Sequence, residues 1–189
     1  NITNTANYLS KTIDDFRNFF KPDKKEAFFT IDNAFEKTFK LTEAQFKNKE
    51  IEFITNIETF ELFGLENELL QSFINILNNA KDALENKKED KYIFIDTFVK
   101  DNIGIIIIKD TAGGIDKKII SKICEPYFTT KHSSNGTGIG LYMTQEIILN
   151  HMKGKFIIEN VVFDYMKKEY IGAQFTIELE LELSTSNQS

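Results

Sequence analysis

The most regular stretch of the chain runs QSFINILNNAKDALE, and its polar positions repeat as strictly as its apolar ones. At about 100° per residue, Leu70, Phe73, Leu77 and Leu84 fall on one side of a helix. Asn75, Asn79 and Asp82 fall within roughly 60° of arc on the other side. A solvated helix face is normally Lys and Glu, as in the NKKEDK that follows. Amides and a carboxylate in that place offer hard oxygen ligands of the kind Mg²⁺ takes beside phosphate oxygens and water. Taken alone, the face has two readings: it bears a ligand, or it is solvated and carries amides of low helix propensity.

Elsewhere the pattern changes period several times. Ile2, Ala6, Leu9, Ile13, Phe16 and Phe20 are spaced 4, 3, 4, 3, 4, which predicts a helix with a coiled-coil seam ended by Pro22. That seam packs either on another chain or on this one. The polar turn KPDKKE then marks a boundary, so the expected organisation is a helical segment 1–22, a linker 23–27, a main domain 28–183 and a disordered tail 184–189. FFTI reads as a strand, and DNAFEKTFKLTEAQFKN as an amphipathic helix N-capped by Asp32 or Asn33. IEFIT and TFELFG read as two strands with a tight connection, followed by a long helix over residues 65–86. YIFIDTFVK and IGIIIIKD are two more strands, the second with four consecutive isoleucines that suit burial on at least one face. DKKIISKIC predicts a short helix, and TGIGLYMTQEIILNHM a longer one entered through glycines. KFIIENVVF and AQFTIELELEL close the chain as strands. Helices and antiparallel strands in mixed order predict a two-layer α/β sandwich of the α+β type.

Composition narrows the functional classes. The 189 residues have room for one ordinary domain plus an extension, and 41% hydrophobic with 28% charged residues suits a soluble globular chain. A net charge of −6 argues against a nucleic-acid partner, which needs a basic face. A single cysteine, Cys124, excludes an internal disulfide, suits a reducing compartment, and reads as a buried structural thiol. No stretch approaches the roughly 18 apolar residues of a membrane span, and no signal peptide opens the chain. Asn1 begins mid-pattern without a start methionine, so the chain is expected to be a piece of a longer protein.

Three further clusters carry chemistry. Asp110 ends a strand, where it can accept a hydrogen bond from the exocyclic amine of a base. Gly113 and Gly114 behind it let a planar ligand approach the backbone, or simply make a β-turn. In NGTGIGL, Gly136, Gly138 and Gly140 alternate ahead of a helix and can bring backbone N–H groups to phosphates. No Lys-Ser or Lys-Thr follows them, so this is not a Walker loop. EPYFTTK supplies an aromatic anchor (Phe128), two hydroxyls (Thr129, Thr130) and a cation (Lys131). With HSSNG it reads either as a segment that closes over a charged ligand or as a surface loop held by one buried Phe.

The order of these pieces carries more than any one of them. An Asn-bearing helix, strand-Asp-Gly-Gly, FTTK and then GTGIGL resembles the GHKL ATPase superfamily, which holds gyrase, MutL, the large heat-shock chaperone ATPases and sensor histidine kinases. The resemblance spans roughly residues 28 to 183, and EPYFTTK with GTGIGL close behind is similar to the sensor-kinase branch. It implies a GHKL-type fold, the cofactors ATP and Mg²⁺, and transfer of the ATP γ-phosphoryl to a histidine for relay to a response regulator receiver domain. It also implies a cytoplasmic catalytic part of a parent that can be membrane-anchored. YLSKTIDDFRNFFKP resembles the second helix of a dimerisation hairpin, which implies a homodimer through that helix. The phosphoacceptor histidine is then expected upstream of Asn1, since His132 and His151 stand in no such context.

Residue by residue, the resemblance assigns Asn79 to Mg²⁺, with Asn75 as a second amide near metal and phosphates. Relatives that hydrolyse ATP carry a glutamate base at the earlier position; Asn75 is a poor base and fits an enzyme that keeps its γ-phosphoryl for transfer. Asp82 is placed behind those two. Asp110 is implied to accept the adenine amino group, with Gly114 and Ile115 under the base. Phe128, Thr129, Thr130 and Lys131 are implied in the lid, Lys131 as catalytic, and Gly136, Thr137, Gly138, Ile139, Gly140 and Leu141 near the phosphates. Gly172 is implied to let the final strand start close to the base. One departure is visible: Ala112 stands where the family's Asp-x-Gly-x-Gly turn has its middle glycine, which is tolerable only at negative φ. The rival readings are a clamp or chaperone ATPase of the same superfamily, a non-catalytic nucleotide-binding module, and a protein serine kinase on this fold.

Overall fold

The computed structural model describes residues 25–130 and 137–182. The expected coiled-coil helix and its seam, the tail, Lys131, His132 and Gly136 lie outside the described residues. In chain order the elements are β1 (Ala27–Thr30), α1 (Ile31–Lys47), β2 (Glu52–Ile57), β3 (Glu61–Gly64), α2 (Glu66–Leu84), β4 (Tyr92–Lys100), β5 (Ile103–Asp110), α3 (Gly140–Glu146), β6 (Lys155–Tyr165) and β7 (Lys168–Glu180).

Five strands form one sheet in the order β2-β4-β5-β7-β6, antiparallel except for the parallel β2–β4 pair. The helices pack on one face of it, giving the two-layer sandwich that the mixed pattern predicts. Alternation along β5 explains the isoleucine run: Ile106 and Ile108 are buried in the core, while Ile105 and Ile107 point to the other face and stay half-buried. Leu70, Phe73, Leu77 and Leu84 of α2 are all buried, and Phe73 stacks on Phe35 of α1 with ring centroids 4.3 Å apart. Each such side chain contributes roughly 1.5–3 kcal/mol by leaving water.

Several expectations are corrected. Helix α1 starts at Ile31, and neither Asp32 nor Asn33 is its cap; Thr30 holds that place without a side-chain capping bond. The Ile31 N–H donates instead to the Phe60 carbonyl at 3.0 Å, so a neighbouring backbone satisfies the helix start. Strands β2 and β3 have the expected short connection but lie in different sheets. β2 pairs with β4, whereas β3 pairs antiparallel with β1, because the link turns away at Glu58, whose N–H donates to the Thr97 carbonyl and whose carbonyl accepts from Thr97 Oγ1.

Residues 117–124 make successive turns rather than a helix. Ile119 and Ile120 both donate to the Asp116 carbonyl, then Lys122 to Ile119 and Glu125 to Lys122, so one four-residue closure among three-residue ones replaces the helical ladder among β-branched residues. The helix expected over 137–152 begins only at Gly140, and after Glu146 it widens into one turn closed from Met152 N–H to the Ile147 carbonyl at 2.9 Å. Strands β6 and β7 run further than the pattern shows and join through Met166 and Lys167, at φ 49° and 62°. Their outer half carries Phe163, Tyr165 and Tyr170, which meet Tyr92 and Phe94 edge-on or tilted and form a small aromatic cluster. Cys124 is half-buried, and burial pushes its thiol up to about 11, which makes it inert. Among the described residues no helix is long and apolar enough to cross a membrane.

Candidate functional site

A cleft of about 1610 Å³ opens between the polar face of α2, the end of β5, the segment after it and the start of α3. Asn75, Asn79, Asp82, Asp110, Gly114, Ile115, Phe128, Thr129, Thr130, Thr137, Gly138, Ile139, Gly140 and Leu141 all line it. Residues that lie far apart in the chain are thus brought to one cavity, as the order of motifs implies. Ile119, Ile123, Met143 and Ala173 also line it, and the sequence pattern does not single them out.

Asn75 faces α3. Its Nδ2 donates to the Gly140 carbonyl at 3.0 Å and lies 3.3 Å from Thr144 Oγ1, while its Oδ1 accepts from Gln71 Nε2 at 3.1 Å. The side chain therefore ties two helices together. Asn79, which lines the cleft, donates back to the Asn75 carbonyl at 3.0 Å, and among the described residues its amide oxygen accepts no hydrogen bond. The apolar stripe beneath buries α2, so this polar row is held rigidly at the cleft wall.

Asp110 is buried at the end of β5, and its Oδ1 accepts from the backbone N–H of Ala112 at 2.8 Å and of Ala173 at 3.2 Å. Burial raises its pKa above the ordinary carboxylate value, against the two N–H bonds and the Lys87 charge, which lower it. Lys87 Nζ donates to the Thr111 carbonyl, and Thr111 Oγ1 accepts from Tyr92 N–H at 3.1 Å, which pins the turn from behind. Ala112 is not among the positive-φ residues; Gly113 and Gly114 take that conformation instead, at φ 95° and 83°. The departure from the family's glycine pattern is thus accommodated by the backbone. Gly172 does not start β7 but lies inside it, opposite Val161, where the strand passes against the Asp110 carbonyl.

The start of α3 is tied to the residue just before the FTT segment. Tyr127 N–H donates to the Gly138 carbonyl at 2.9 Å, and a Cβ on Gly138 (φ 65°) would lie 2.5 Å from the Tyr127 carbonyl carbon. His151 is no candidate acceptor in this geometry. It sits in the wide turn after α3, with Nδ1 2.7 Å from Oε2 of the buried Glu68. Asn160 of β6, which the sequence reading passes over, bonds both backbone groups of Ile115; the only signal was a lone Asn inside an apolar strand run.

Comparisons with known proteins bear on the family and the fold. The family profile of the histidine kinase-, DNA gyrase B- and HSP90-like ATPases matches residues 64–183. A sensor-type protein of Shewanella frigidimarina is 28% identical over 159 residues, 83% of this chain and 24% of that protein. Sporulation kinase A of Bacillus subtilis is 36% identical over 89 residues, 47% of this chain and 14% of its own length. The chain therefore spans a quarter or less of these relatives. Histidine kinase ThkA, crystallised with response regulator protein TrrA, superposes with a TM-score of 0.69 at 21% identity, covering 94% of this chain and 48% of that one, a likeness of fold. With the profile matching well over half of its residues, this chain belongs to the histidine kinase-, DNA gyrase B- and HSP90-like ATPase family.

Proposed function

We propose that this chain is the ATP-binding catalytic domain of a sensor histidine kinase, transferring the ATP γ-phosphoryl to a histidine on an upstream hairpin for relay to a response regulator. One observation carries the reading: Asn79, with an amide oxygen that accepts no hydrogen bond among the described residues, and the buried carboxylate of Asp110 line one cleft together with the glycine-led start of α3. Oδ1 of Asp110 is occupied by two backbone N–H groups, which leaves Oδ2 for the exocyclic amine of adenine. Gly114 and Ile115 lie under the base, Phe128, Thr129 and Thr130 form the lid, and Thr137 to Leu141 serve the phosphates with the helix start. Lys131 and Gly136, outside the described residues, keep the lid and phosphate roles that the resemblance implies.

Mg²⁺ fits this site through its donor set. Among the described residues no group of three or more His, Cys, Asp or Glu side chains is gathered, so a cation here relies on amide and phosphate oxygens. Asn79 offers the free amide oxygen; that of Asn75 already accepts from Gln71, which makes Asn79 the ligand and Asn75 its support. When bound, Mg²⁺ neutralises charge on the transferred phosphoryl group. Asn75 has no basic group to activate water, and its amide is held by α3, which speaks against a hydrolytic clamp or chaperone. The homodimer, the receiver-domain partner and a cytoplasmic site of action follow from the same reading. TrrA bound to ThkA is an instance of that pairing in a protein of this fold.

Calorimetry with Mg²⁺ and a non-hydrolysable ATP analogue tests the site. We expect binding, and at least a tenfold loss for Asn79→Ala that vanishes when Mg²⁺ is withheld. Labelled ATP with the parent's histidine-bearing hairpin then tests the chemistry. Steady ATP hydrolysis without transfer to that hairpin would overturn the kinase reading.

A further inference from the structure

We propose that Asn160 is a positioning residue for the base of the bound nucleotide, acting through the backbone of Ile115; this rests on the nucleotide reading above. Asn160 lies on β6, outside the cleft lining, yet its amide grips one residue of the adenine turn at both backbone groups. Oδ1 accepts from the Ile115 N–H at 2.7 Å, and Nδ2 donates to the Ile115 carbonyl at 2.7 Å. Asn is disfavoured inside strands, so its use there calls for such a partner.

The turn needs this hold. Gly113 and Gly114 follow each other at positive φ, a pair with little intrinsic stiffness. Gly113 is fixed by its N–H to the Ile171 carbonyl at 2.9 Å, and Ile115 by Asn160. Both anchors belong to the β6–β7 hairpin, so the floor of the base pocket is set by the far edge of the sheet. The fit at Gly114 is close: a Cβ there would stand 2.7 Å from Asn160 Oδ1. Without the amide, the peptide that floors the base is free to shift, while the Asn79 row and the phosphate wall stay in place.

The test uses the chain as it is, with competition binding of a fluorescent ATP analogue and Mg²⁺. Asn160→Ala is expected to weaken ATP about tenfold and to leave inorganic triphosphate, which has no base, unchanged. Equal loss for both ligands, or no loss for ATP, would overturn the proposal. Asn160→Asp gives an arm independent of how well the Ala variant folds. Its carboxylate keeps the acceptor for Ile115 N–H but sets an oxygen against the Ile115 carbonyl. Asn160→Asp should bind ATP poorly at pH 8 and bind inorganic triphosphate as wild type does. Wild-type affinity of that variant for ATP would overturn it as well. Failure of wild type itself to bind ATP would instead remove the nucleotide reading, and this inference with it.

Discussion

The carbonyl oxygen of Asp110 stands where a side chain at residue 172 would begin: a Cβ on Gly172 would lie 1.7 Å from it and 3.3 Å from the Asp110 Oδ1. Because residue 172 has no side chain, β7 passes close enough for the next N–H, that of Ala173, to reach the same carboxylate at 3.2 Å. The acidic residue that the sequence singles out is thus held by a glycine more than sixty positions away.

Gly172→Ala is therefore expected to destabilise the domain by ~3 kcal/mol or more, since backbone and not a flexible side chain must move. Gly140→Ala is the matched control. Its Cβ would meet Asn75 at an ordinary 3.5 Å, and alanine favours the helix, so stability should change by less than ~1 kcal/mol. Urea unfolding of both variants checks the contrast.

Asp110→Asn should separate stability from binding. The folded carboxyl lies above its ordinary value of 3.8, because burial disfavours the charge. The folded state then binds the proton more tightly than the unfolded one. Stability from this group is complete below the unfolded value and is lost as pH rises through the raised folded value. The asparagine variant, which keeps the acceptor for Ala112 and Ala173, should match wild type in acid and exceed it at neutral pH. Its ATP affinity should nevertheless fall at least about tenfold, because an amine now meets an amide that can donate. Denaturant titrations at several pH values, paired with calorimetry, decide both halves.

Asn75→Asp is expected to cost about 1–3 kcal/mol. The change removes the donor to the Gly140 carbonyl and turns a carboxylate oxygen toward that acceptor. Asn75→Ala should cost less, because it leaves no such repulsion. An order reversed between the two in thermal melts would show that the α2–α3 tie does not hold this side chain.

The aromatic hairpin should report on the sheet rather than on the site. Phe163 meets Phe94 at 5.2 Å and lies under the Lys109 ammonium at 4.7 Å. Phe163→Ala is expected to destabilise by ~2 kcal/mol, part of it from the lost cation–π contact. Inorganic triphosphate binding should stay unchanged, which competition assays measure directly.

The strands β4 and β5 were legible residue for residue, as was the division of α2 into an apolar and an amide face. Residue periodicity is a local property, and these segments bury one continuous face each. The cleft residues were legible for a different reason: their types and order, Asn, Asp-Gly-Gly, Phe-Thr-Thr and the spaced glycines, mark a family. What escaped was whatever depends on a distant partner. The 116–124 segment is the exception: with three isoleucines it closes on its own carbonyls mostly in shorter steps, and Ile119 and Ile123 line the cleft. Asn160 looked like a polar interruption in a strand until Ile115 was brought against it.

By itself, then, the sequence determined which segments have a face to bury and which polar and glycine positions to look for at a site, because both are written in spacing and residue type. Only the tertiary structure decided that β2 joins β4 in parallel and β3 joins β1, that Gly172 makes room for Asp110, and that Asn75 spends its amide on α3. Those choices are made by sterics and hydrogen bonds between residues far apart in the chain, which local periodicity does not encode.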